Sequence, residues 1–160
     1  MLIDFRGFEN NPEVAFDFFG LCIRAMKTNK RVFFSCPYIE NLLNTWYIGI
    51  GNEHRDAIKT HTGFITTLFS ILKADLTQIS HIDNLTQIQE LAKIVEAFPD
   101  VHPNEIAVWK FLLEQGQVII DKELEVVLNA PSRDLVDFFV DVLVAFSFNM
   151  PSQCKDTWFQ

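Results

Sequence analysis

The sequence predicts a mainly α-helical protein: a single compact domain of about six or seven helices spanning residues 1–160, with at most a minor β element. Three observations carry this expectation. Apolar residues recur at steps of 3 and 4 along most of the chain, the spacing that lines one face of a helix. Capping residues and prolines stand where these stretches begin and end. The 160 residues include 16 Phe but only 6 Gly and 6 Pro, which leaves much to bury and few breaks between helices.

Asn11, Pro12 and Glu13 read as a helix start, with a cap, a proline at the first helical position and an acid where the dipole favours it. The helix runs to about Lys27. Its polar positions Asp17, Gly20, Arg24 and Lys27 leave Ala15, Phe18, Phe19, Cys22, Ile23 and Met26 for the core. Residues 31–35, with Val32, Phe33 and Phe34, read as a short strand or a buried extended segment. Residues 37–48 place Ile39, Leu42, Leu43 and Trp46 at helical spacing before Gly49 and Gly51.

Asn52 is a candidate cap for the next helix, which runs to about Leu72 or Asp75. His54, Ile58, His61, Ile65, Leu68 and Leu72 form its apolar stripe, and Gly63 inside it signals a close helix contact or a break. Asn84 with Gln87 resembles a capping box, followed by Ile88, Leu91, Val95 and Phe98 and stopped by Pro99. Pro103 opens another helix, with Ile106, Trp109, Leu112 and Leu113 inward and Gly116 as its C-terminal cap. Residues 117–129 fit either a strand followed by a helical turn or one helix. Ser132 caps the last helix, from Arg133 to about Phe148, and residues 149–160 form a polar tail. Because that last helix is apolar nearly all round, it reads as the central element, with Phe138, Phe139 and Phe146 mostly buried.

The charge is lopsided. Residues 1–95 carry nine Lys or Arg against ten Asp or Glu, whereas residues 96–160 carry four against eleven. A local negative field of this kind attracts a basic protein and repels nucleic-acid phosphates. Asp134, Asp137 and Asp141, at steps of 3 and 4, line one face of the last helix, and Asp121, Glu123 and Glu125 extend the acidic region. These six carboxylates are the predicted partner-binding residues. The plainer alternative for the aspartates is the solvated edge of a buried helix, with a divalent cation as a further option.

His54 and His61 lie about 10.5 Å apart along one helix, too far to share one metal ion, so a catalytic or metal role requires His81 or His102 from elsewhere. Cys22, Cys36 and Cys154 are an odd number without close spacing, which fits free thiols rather than a zinc site. Cys36 becomes a nucleophile only if a histidine approaches it; otherwise it is a small buried hydrophobe. Arg24, Lys27, Lys30 and Arg31 beside Phe33 and Phe34 would suit an acidic surface, but against a formal net charge of −8 they read as a solvated helix end. Phosphate-binding glycine loops, nucleophile elbows and metal-binding motifs are absent from the sequence.

The N-terminus does not resemble a secretory signal, and no apolar stretch reaches the ~20 residues of a membrane span, so the expected location is cytoplasmic. The expectation is therefore a small acidic protein-binding protein with no cofactor and no catalytic residues. Its concrete form is an inhibitor or immunity-type protein that neutralises a basic, nuclease-like toxin, since an enzyme that holds phosphates is itself basic. The alternatives are an enzyme or metal protein built on the histidines and a homo-oligomeric helical subunit.

Overall fold

The computed structural model describes residues 11–50, 54–72, 101–129 and 132–150, together with Lys155, Asp156 and Trp158. Six helices order the described residues: α1 (Pro12–Thr28), α2 (Lys30–Phe34), α3 (Ile39–Ile48), α4 (Arg55–Ile71), α5 (Pro103–Asn129) and α6 (Arg133–Asn149). They form an all-α domain, with no strand among those residues. The predicted cap at Asn52 and the predicted helix over 84–98 lie outside the described residues.

α1 begins with Pro12 at its first position and buries Ala15, Phe19 and Met26, a 4-then-7 spacing that keeps them on one face. It ends at Asn29, whose side chain accepts a hydrogen bond from the Val32 backbone N–H and so starts α2. Residues 31–35, expected as a strand or extended segment, are thus largely a short helix. Val32 favours strand, but the Asn29 cap and two neighbouring buried rings, Phe33 and Phe34, favour a tight turn that inserts both into the core. α3 buries Ile39, Leu42, Leu43 and Trp46 as its spacing predicts.

α4 is the central helix among the described ones. It packs α1 on one side and α6 on the other, and nine of its 17 residues are buried: Ala57, Ile58, His61, Thr62, Phe64, Ile65, Thr67, Leu68 and Phe69. Gly63 faces α1, where an added Cβ would stand 3.2 Å from the Ile23 Cδ1, so it permits close packing and does not break the helix. Two aromatic clusters are strung along α4. Phe19, Trp46, His61 and Phe64 form the first; Phe69, Trp109, Phe146 and Trp158 form the second.

The reading of α6 as the central element is overturned. Only Val142 and Phe146 of its 17 residues are buried; Phe138 and Phe139 are half-buried, and Val136, Val140, Val144 and Phe148 are exposed. An all-round apolar helix is buried only if other helices surround it. α6 lies to one side, against α4 and α5.

Gly116 does not end a helix either. α5 runs unbroken for 27 residues, which settles 117–129 as helix. Gly116 is buried mid-helix because Trp158 from the tail lies on it: a Cβ there would come within 2.5 Å of the indole ring. The glycine makes a notch, and the tryptophan fills it while standing edge-on to Phe146 at 5.9 Å. At the other end of α5, the Asn104 side-chain amide donates to the carbonyls of Phe34 and Cys36, tying this helix to the end of α2.

Candidate functional site

The predicted histidine chemistry meets an ordinary core. His61 is buried with its ring stacked on Trp46 at 4.6 Å and 9°. Its Nε2 lies 2.6 Å from the Trp46 carbonyl, and the Trp46 indole N–H donates to the His61 carbonyl at 2.8 Å. Each side chain thus bonds the other's backbone. As a neutral ring His61 donates its Nε2–H to that carbonyl, and burial holds its pKa down at about 4. Gly49 fits beneath this pair, since a Cβ there would stand 3.3 Å from Nε2.

His54 is exposed at the N-cap of α4, and His102 is exposed before α5, its Nδ1 accepting from the Asn104 backbone N–H. His81 lies outside the described residues. No group of three His, Cys, Asp or Glu side chains that would hold a metal ion occurs among the described residues. Cys22 and Cys36 are free and half-buried, and burial raises the Cys22 thiol to about 11, so it stays protonated and unreactive at neutral pH; Cys154 lies outside the described residues. Arg24, Lys27, Lys30 and Arg31 are exposed, but Phe33 and Phe34 turn into the core, so those two rings are not part of the surface that carries these cations. No helix is long and apolar enough to cross a membrane among the described residues.

The six predicted carboxylates divide. Asp121 and Glu125 are exposed on the outer side of α5. Glu123 is 8% exposed, on the face that also carries Gly116, Ile119 and Ile120, and burial alone pushes its carboxyl up to about 7. The signal for its burial was present in the phase: Leu112, Gly116, Ile119 and Glu123 follow at steps of 4, 3 and 4. Reading Gly116 as a terminus broke that phase. On α6, Asp134 pairs with Arg55 of α4 at 3.0 Å, while Asp137 and Asp141 are exposed one turn apart.

What the sequence reading missed is the company of Asp137 and Asp141. Val136, Val140, Val144 and Phe148 recur at steps of four on the outer face of α6 and are 41%, 46%, 46% and 76% exposed. Asp137 and Asp141 stand three residues before Val140 and Val144, the spacing that makes neighbours on a helix surface, so the two aspartates adjoin the row along one edge. The inner face, with Val142 and Phe146, points the other way. Asp137 and Asp141 themselves marked the water-facing side; the apolar residues adjoining them in angle had to share it.

Comparisons with protein-family models, with curated proteins and with solved structures found no significant match.

Proposed function

We propose that this chain is an acidic helical protein-binding protein that docks a basic partner through the outer face of α6, in the manner of an inhibitor or immunity-type protein that covers a cationic, nuclease-like toxin. The observation that supports this most is the row Val136, Val140, Val144 and Phe148, left in water beside the exposed carboxylates Asp137 and Asp141. Exposed valines in a helix carry a propensity cost relative to Ala, so neither helix formation nor solubility calls for them. Adjacent apolar residues rimmed by charge are the usual composition of a contact surface. The formal excess of anions in residues 96–160 also supports the reading, because a negative field repels nucleic acid and speeds encounter with a basic protein.

Asp121 and Glu125 on α5 contribute to the field. Glu123, being buried, and Asp134, being paired with Arg55, leave Asp137 and Asp141 as the contact carboxylates. The test is capture from the native host with the parent chain and with a D137N/D141N variant in parallel, each followed by mass spectrometry. A basic protein retained by the parent and lost from the variant at low salt supports the reading. Equal retention by both chains eliminates this face.

A further inference from the structure

We infer that the element seated on α6 is a basic amphipathic helix of the partner, about four turns long, with Lys or Arg along one edge of an apolar stripe. The inference rests on the reading of α6 as the partner face and adds what kind of element fits it. Val136, Val140, Val144 and Phe148 are all at steps of four, which makes them one continuous ridge of the kind that packs into the groove between two such ridges of a facing helix. The ridge spans twelve residues, about 18 Å of helix, so it matches three to four turns of a partner helix. Three of its four members are β-branched, with few side-chain rotamers to lose on docking.

The charge around the ridge is one-sided. Asp137 and Asp141 rim one edge, and the exposed Arg133 lies near the N-terminal end. A partner helix with cations four residues apart on one edge pairs both carboxylates while its apolar stripe covers the ridge. A second copy of this chain is the wrong occupant, because it brings a net charge of −8 to a net charge of −8. A nucleic-acid strand is excluded by the same carboxylates.

The probe is a pair of labelled 15-residue peptides sharing one leucine stripe, one with Lys and one with Glu at every polar position, titrated against the full chain by fluorescence anisotropy. The Lys peptide should bind at least about tenfold more tightly than the Glu peptide at low salt. A V140S/V144S variant should weaken the Lys peptide by about tenfold through a faster off-rate, leaving the salt dependence as in the parent. D137N/D141N should instead slow association and flatten the salt dependence. F148S, at the most exposed position of the ridge, repeats the first test with the smallest effect on folding, and helix content by circular dichroism checks each variant.

Equal binding of the two peptides, or parent-like binding by both ridge variants, overturns the inference. If the Lys peptide fails to bind while D137N/D141N still releases a basic host protein, the partner face stands and the helical occupant falls. If neither depends on α6, both readings fall together.

Discussion

α4 and α6 are each 17 residues long, with six large apolar side chains in α4 and ten in α6, yet α4 buries nine residues and α6 two. The difference is position: α4 has α1 on one side and α6 on the other, whereas α6 has helices on its inner side only among the described elements. The more apolar of the two is the peripheral one. Apolar residues on a helix therefore report demand for burial, and the demand can be met inside the fold or left for another molecule. In α4 it is met with aromatic rings and a reciprocal histidine–tryptophan lock; in α6 the inner face is met and the outer one is not.

The largest effects should fall on α4 and on its contacts. Replacing the fully buried Phe64 by Ala should cost ~3–5 kcal/mol, whereas Ala at Val140 or Val144 should be neutral or stabilising by a few tenths, because Ala is the better helix former. Urea unfolding of these variants measures the contrast directly. Comparable losses at Phe64 and Val140 would remove the distinction between the two helices.

Protonation sharpens the comparison, because two buried titratable groups work in opposite directions. His61 protonates near 6.5 when unfolded and near 4 when folded. Its contribution is complete above pH 6.5 and is lost as pH falls through that window, by on the order of 3 kcal/mol. Glu123 titrates near 4.5 unfolded and about 7 folded, so its contribution is complete below pH 4.5 and is lost as pH rises toward 7 and above. His61→Gln should flatten the acid limb of stability against pH. Glu123→Gln should flatten the neutral limb and stabilise the protein at pH 8; an unchanged neutral limb would place the Glu123 carboxyl in water.

Next in size is the notch on α5. Gly116→Ala should cost about 1–3 kcal/mol by pushing Trp158 off the helix, more than the helix propensity of Ala returns. Combined with Trp158→Ala, the same substitution should cost little and even favour the helix, a coupling that a double-mutant cycle reads out. Additive losses would mean that the tryptophan does not lie on the glycine.

The smallest effect belongs to the ion pair that links the two compared helices. Arg55 and Asp134 meet at 3.0 Å, but their side chains are 73% and 46% exposed. Their coupling should be within about 0–1 kcal/mol and vanish in high salt.

Read alone, the chain determined its class and most of its helix starts. Pro12, Pro103 and Ser132 act within a few residues of themselves, so their effect is visible without the fold. The predicted stripe on α4 is likewise local: Ile58, His61, Ile65 and Leu68 are buried and Leu72 is half-buried, while His54, at the N-cap, is exposed. The neutral, stacked His61 was the plainer of its two readings because a ring on an apolar stripe needs partners at hand.

Tertiary structure decided the rest, because each remaining question depended on what arrives from far along the chain. Gly116 reads as a helix end until Trp158, 42 positions away, is seen in its notch. Glu123 reads as a surface acid until α5 is continuous and its phase turns inward. α6 reads as the centre until α4 is found there. Local sequence sets which face of a helix is apolar; which apolar face finds a neighbour is a property of the assembled helices, since burial is a relation between two surfaces and not a property of one.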